Sequence, residues 1–472
     1  VWIGLLFALM CLAVQYEQFS PNESRRQQVL DLQPERLIQK FRRKTIQCLI
    51  MGKYTNAPPY AVETLLLFVF SEALRGENTK NMNNCWALFG TVVRIAQRAG
   101  FHRDGSHFPA LSPFRAEMRR RTWLIIVEWD MYLSTQFGLP RVIDHAKTDT
   151  RKPRNLLDED LHEDMLELPH ARPDSARTQP QFHGAKNRLQ MVFARIQDML
   201  SSIPPSPYAD VLKLDSLLTR TYESLLPVWQ TPAELQQATT DNPSAAYVCV
   251  SCSFLAFIYH RARITLHQRY MMLGRIDSRY KLSHKVCVEA AISILQLQWS
   301  LYLDTMVGGD LCRHGWKFLT LLQQDFLSGT AVLCAELGEE VALARCRSES
   351  DEVNSHSTGT VGSGTLAEER YGDSRETELR DRVVHALSGA SIVWLQSRNF
   401  EVSQELQFLV AALKDLLNKA QRAGFGQTPS SSSMSSGKNL PFTSQARPGY
   451  DYAGESRHVE AEVYWGIGHF PV

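Results

Sequence analysis

The sequence predicts an all-α protein, an irregular multi-helix domain with long polar loops and no zinc cluster in the chain. Three observations support this expectation. Apolar residues recur at three- and four-residue spacing in segments of roughly 15 to 30 residues. The strict alternation that marks half-buried strands is hard to find. Between the apolar segments lie breaks rich in proline, serine and glycine, several of them long.

The chain opens on VWIGLLFALMCLAV, read as a helix near 1–18. A secretory core or membrane span is the competing reading, but there is no starting methionine and no basic flank. The apolar run ends at Val14, short of the ~20 residues a bilayer requires. A buried helix with residues missing upstream is expected, and no other segment reads as apolar and long enough to span. Helices follow near 35–51, 60–75, 83–99 and 115–135. The 83–99 helix carries Val92, Val93, Ile95 and Ala96 as apolar surface, and Gly100 can take its left-handed C-cap.

Residues 136–185, from FGLPRVIDHAKTD to PHARPDSARTQP, read as an ordered excursion followed by a mobile loop. Helices resume near 186–201, 209–227, 244–273, 284–305 and 312–338, which makes 1–345 one helical body. Residues 348–374 are polar and glycine-rich and are expected to form a disordered loop. Helices near 376–398 and 402–422 are expected to pack on the same domain. A low-complexity linker and aromatic tail, VYWGIGHFPV, fill 425–472. The tail could equally dock on the domain or meet a partner, and the serines of 348–374 and 425–449 suit phosphorylation.

The chain has 472 residues, 44% hydrophobic and 21% charged, as in ordinary globular proteins. Fifty-one basic residues against fifty acidic ones leave a formal charge of +1. No whole-molecule field therefore draws the protein to nucleic acid or an anionic membrane. The nine cysteines are odd in number and lie mostly in apolar helical patterns, which reads as reduced thiols inside a cell. Only Cys249 and Cys252, in CVSC, have metal or redox spacing; no second close pair completes a zinc site, and their flanks are those of a buried helix.

The stretch RAEMRRRTWLIIVEWD, residues 115–130, runs three arginines into an apolar segment. On a helix Glu117 faces Arg120 and Arg121 at three and four residues' distance. Arg119, Trp123, Ile126 and Asp130 share another face. A DNA-reading helix would keep its cations in solvent among further lysines and arginines. This one turns inward after Arg121, so a structural cluster of guanidiniums bonded to carboxylates and loop carbonyls is expected. His102, Arg103 and Asp104 fall in the loop after Gly100 and read as loop anchors, there being no nucleophile nearby to make Arg103 and Asp104 a catalytic pair.

These phrases together resemble the fungal-specific transcription factor domain, the middle homology region of fungal regulators with a zinc binuclear cluster. The shared pattern runs through AGFHRD (His102, Arg103, Asp104) and EMRRRTW (Glu117, Arg119, Arg120, Arg121, Trp123), then Asp130. It continues through Gly138 and Pro140 to Pro153, Asn155, Asp158 and Asp160. Phe101 replaces the commoner leucine, and Leu124 and Ile125 replace a frequent second aromatic, so any pocket there should be aliphatic-walled. The resemblance implies a nuclear regulator of RNA polymerase II transcription. DNA would be contacted by an N-terminal cluster of six cysteines holding two zinc ions, and none of those cysteines is in this chain. It also implies no cofactor here, no catalysis and no membrane, and leaves room for a homodimer and for a small-molecule effector or coregulator.

Two other classes compete. A helical interaction or ligand-sensing scaffold could share every feature and never touch DNA. A remote alternative is a Mg-dependent, terpene-synthase-like enzyme, with DEDLHED at 158–164 and the series Asp215, Thr219, Glu223 as metal motifs. Against it, the first motif is proline-led and extended, and no glycine-rich phosphate loop, Gly-x-Ser-x-Gly elbow or His-Glu-x-x-His motif occurs. His260 and His267, seven apart on one face, read as structural groups.

Overall fold

Among the described residues, five helices form the N-terminal part of the fold: α1 (Trp2–Glu17), α2 (Pro34–Met51), α3 (Ala61–Leu74), α4 (Thr79–Arg98) and α5 (Pro113–Phe137). The structure is a computed structural model and describes residues 1–17, 31, 33–75, 79–203, 205–229, 243–305, 322–354, 366–396 and 404–425. Among these residues every regular element is helical. The sequence AVETLLLFVFSEAL is apolar almost all round, so α3 buries every residue except Glu63 and forms the centre of this first core. Leu5, Leu12, Phe89, Val93, Trp123 and Ile126 close on it from the neighbouring helices.

A second core joins α6 (Gln179–Leu200), α7 (Tyr208–Glu223) and α8 (Pro243–Met271), around Leu189, Ile196, Leu218 and Leu255. After a helical turn at Leu273–Ile276, a third core forms between α8 and four further helices. These are α9 (Lys281–Thr305), α10 (Gln323–Asn354), α11 (Leu366–Leu395) and α12 (Gln404–Arg422).

Two helices belong to two cores each. In α5, Trp123, Ile126 and Trp129 face the first core and Met131 the second. In α8, Val248, Leu255 and Ala262 recur every seven residues on the second core, while Val250, Phe257, Ile264 and Met271 recur every seven on the third. Two such stripes on one helix give it two apolar faces, and α8 can therefore act as a wall between cores.

CVSC lies on α8 with Val250 in the third-core stripe; Cys252 is free and packs beside the second core, and the side chain of Cys249 lies outside the described residues. The seven cysteines described, from Cys11 to Cys346, are all free thiols.

Several expectations need correction. Residues Ser278–Thr305, at mean hydropathy 1.4, are long and apolar enough to cross a membrane, contrary to the reading that nothing beyond the first helix is. That apolar window is 61% buried within the fold. Cys287, Val288, Ala291, Ile292, Ile294 and Leu295 line the third core, which accounts for the composition without a bilayer.

Helix α6 starts at Gln179 rather than near 186, because Thr178 caps it and a proline occupies its first turn, a start signal hidden in a polar stretch. The segment before it, expected to be mobile, is bonded in place as described below. Helices α10 and α11 run through 348–354 and 366–374, where composition suggested a disordered loop; four glutamates with Leu366, Ala367 and Arg370 there are good helix formers. Residues 355–365, 306–321 and the tail 426–472, with the serines singled out there, lie outside the described residues.

Candidate functional site

Helix α5 begins with Ser112, whose hydroxyl accepts from the Arg115 amide at 3.3 Å, and with a proline in the first turn. It ends at Gly138, left-handed at φ 62°, whose amide closes on the Ser134 and Thr135 carbonyls. From there the chain returns along α5, where Glu117 and Arg121 bond it directly and Arg120 holds it through Asp104, while Arg119 braces the loop before the helix.

Arg120 makes a two-pronged bond to Asp104, Nε to Oδ2 and Nη2 to Oδ1, both at 2.8 Å. Asp104 also accepts from the Ser106 and Arg151 amides, at 3.1 and 3.0 Å. The Arg120 guanidinium is the main reason the Asp104 carboxyl lies far below the usual carboxylate range. Glu117 is fully buried and accepts from the Arg154 amide at 2.9 Å, with Arg120 at 3.4 Å and Arg121 at 3.7 Å. Burial raises the Glu117 carboxyl above its ordinary value, while Arg121, the Arg154 amide and Arg120 pull it down.

Arg121 reaches across to Asp158 and donates to the Leu156 carbonyl at 2.7 Å. Arg119 donates to the Ala99 carbonyl and lies over the Phe101 and Phe108 rings at 4.6 and 5.1 Å, and burial lowers its pKa.

The remaining family-motif residues hold the returning segment from the other side. Asp130 accepts from the Val142 and Ile143 amides at 3.1 and 2.8 Å, two residues past exposed Pro140. Burial raises its pKa, opposed by those two amides. The His102 carbonyl accepts from the Thr148 hydroxyl and the Asp149 amide, at 2.8 and 3.1 Å, and the Asp149 carboxylate meets Arg103 at 3.0 Å. Asn155 donates to the Pro173 carbonyl at 3.0 Å and accepts from the Thr178 hydroxyl, which also caps α6. Asp160 accepts from the Leu157 amide at 2.8 Å and from Arg172 at 2.9 and 3.1 Å. Trp123 is buried in the first core. Pro153 lines a cavity of about 40 Å³ whose wall includes Met118, Leu124 and Ile125, aliphatic where a second aromatic is absent.

Gly100 takes φ +79°, and a Cβ there would stand 3.0 Å from Phe108 and 3.1 Å from Arg119. Gly100→Ala is expected to destabilise the chain by about 1–2 kcal/mol, read as a lower urea midpoint with unchanged slope.

The sequence reading missed several polar anchors. Glu128 is buried and accepts from Lys186 at 2.9 Å, with the His183 Nδ1 at 3.0 Å. Burial alone would raise its carboxyl, but His183 and Lys186 hold it down, to about 2. A carboxyl depressed on folding stabilises the protein above its unfolded value and loses that contribution as pH falls toward the folded value. On this basis the native state should lose on the order of 3 kcal/mol between about pH 5 and pH 2. The acid limb of a urea-midpoint profile should flatten in Glu128→Gln, and an unchanged limb would count against this origin.

Arg261 and Asp325 form a second buried pair, between α8 and α10. Asp149, Arg172 and Asp325 carry no periodic signal in the sequence; Glu128 does lie on the inward side of an apolar run, which could have marked it as partnered.

The leading aspartates of the metal motifs considered for an enzyme are paired with cations. Asp158 and Asp160 pair with Arg121 and Arg172. Asp215 pairs with Arg263 at 3.0 Å, and Thr219 meets the Tyr259 hydroxyl at 3.3 Å. Among the described residues no group of three or more His, Cys, Asp or Glu is placed to hold a metal ion. His267 contacts Asp215 at 3.3 Å and Ser283 at 2.8 Å, an order reminiscent of a triad. Both His267 and Ser283 are fully buried, however, and the Tyr208 hydroxyl bonds Ser283 at 2.8 Å, so the set ties helices together.

Fold and site thus define a helical body whose charged loop phrases are consumed in bracing it, an arrangement suited to regulation by contact. The chain belongs to the fungal specific transcription factor domain family, which matches residues 3–247; this is a regulatory family, not an enzymatic one. It is similar to the Zn(2)-C6 fungal-type transcription factor pigI of Monascus ruber, 39% identical over 89% of this chain and 47% of that protein. The corresponding factor mpsB of Macrophomina phaseolina is 35% identical over 91% of this chain and 54% of its own length. The Fusarisetin A cluster transcription factor fsa6 of a Fusarium species is 31% identical over 97% and 56%. The chain therefore spans about half the length of the curated relatives it matches. No solved structure matches.

Proposed function

We propose that this chain is the regulatory middle portion of a nuclear RNA polymerase II transcription factor. DNA contact in this reading is delegated to an N-terminal six-cysteine cluster holding two zinc ions, outside these residues. The names of the relatives support the cluster, since pigI and mpsB are Zn(2)-C6 factors matched over only about half their length. The observation that carries the delegation is the inward use of the arginines. Arg120 and Arg121 are 10% and 15% exposed, each bonded to carboxylates, so the arginine run of α5 offers no free guanidinium row to phosphates.

The test compares this chain with a version extended upstream by the natural coding sequence. The extended protein should bind duplex DNA with zinc dependence and site preference, through cysteines beginning in C-x2-C-x6-C spacing, and this chain alone should not. Tight, site-selective binding by the 472 residues themselves, or an upstream region without those cysteines, would refute the delegation.

A further inference from the structure

Where the three cores meet, a cavity of about 70 Å³ opens between α5, α6, α8 and the start of α10. One water needs only ~10–15 Å³ of such space, so the cavity is large for solvent alone. Its walls include the rings of Trp129, Tyr132, Phe193, Phe254 and Phe257, and rings of this kind favour a flat guest.

The polar lining is specific. Glu128 is paired with Lys186, and Arg261 with Asp325. The formal charges of these four cancel, and a charged guest would bring an uncompensated charge into a poorly solvated space. Gln190 is different. It is 8% exposed and lines the cavity, and its Oε1 has no hydrogen-bond partner. A buried acceptor left unpaired costs about 1–3 kcal/mol, which a donor on a guest would recover.

We propose that this cavity is a binding site for a small, uncharged, planar molecule carrying a hydroxyl or N–H group that donates to Gln190. Such a guest touches α5 of the first core, α6 of the second, the shared wall α8 and the α10 edge of the third, so its affinity depends on how the three are disposed. Its use as an effector site rests on the regulatory reading above; its existence as a binding site does not.

The test titrates the whole 472-residue chain with three one-ring probes: phenol, toluene and benzoate. Binding is followed by ligand-observed NMR and by the shift in melting temperature. Phenol should bind saturably and about tenfold more tightly than toluene or benzoate, the value of one buried hydrogen bond. In Gln190→Leu the advantage of phenol over toluene should vanish. In Ile258→Phe, which fills the cavity, both should lose saturable binding.

Either variant alone, if folded, decides the matter, and the ranking of the three probes on the unaltered chain decides it without a variant. Phenol preference surviving in Gln190→Leu, benzoate binding as well as phenol, or no saturable binding by any probe would overturn the proposal. The DNA experiment above is unaffected by these outcomes, so the two readings fail separately.

Discussion

Arg120→Ala is expected to destabilise the folded chain by about 3–5 kcal/mol, the range found when one member of a buried ion pair is removed. Asp104 is 2% exposed and Glu117 fully buried, and both would keep their charge or take up a proton with the guanidinium gone. The two-pronged geometry adds a second expectation. Lysine offers a single ammonium in place of the fork that meets both Asp104 oxygens, so Arg120→Lys should recover less than half of the loss. Urea denaturation at neutral pH reads both. A loss under ~1 kcal/mol, as for a surface pair, would show that the brace is not buried in solution.

Asp325→Ala should have an effect of similar size at the junction of the three cores. Asp325 is 1% exposed and closes on Arg261 between α8 and α10; Gln136 of α5 also approaches it at 3.4 Å. Removing the carboxylate strands a guanidinium among Trp129, Tyr132 and Phe257, at an expected cost of about 3–5 kcal/mol. Replacing both partners at once, as Asp325→Leu with Arg261→Met, should restore most of the stability, because an apolar pair of similar volume leaves no charge uncompensated. A double mutant no more stable than Asp325→Ala would mean that the pair's geometry, not its charge, holds the junction.

Helices with a strong apolar stripe were legible from the residues. The bounds expected for α2, α3 and α12 differ from the observed ones by no more than two residues, and Gly100 takes the left-handed cap anticipated for it. The inward turn of the EMRRRTW phrase was legible too, since an apolar run following a basic cluster fixes which side faces the core. Ranges built on composition fared worse. The Thr178 cap, the first turn of α6 and the helical parts of 348–374 sit in polar stretches, where capping and local propensity decide and hydrophobic periodicity is silent. The partners of the brace were not legible, because Asp149, Leu156 and Arg172 meet it through the path of an irregular loop. The cavity was invisible for the same reason: Gln190 and Arg261 read as ordinary polar positions until four helices are brought together.

The returning segment past Gly138 has a consequence for how the protein ages and is cleaved. Its amides at Val142, Ile143, Arg151 and Arg154 all end on carboxylates of Asp130, Asp104 and Glu117. A protease must draw about ten residues of chain into its cleft, which here means breaking several such bonds at once. Residues 140–178 should therefore resist trypsin at neutral pH despite their many arginines and lack of long helix. They should become cleavable in any variant that removes one of those anchors.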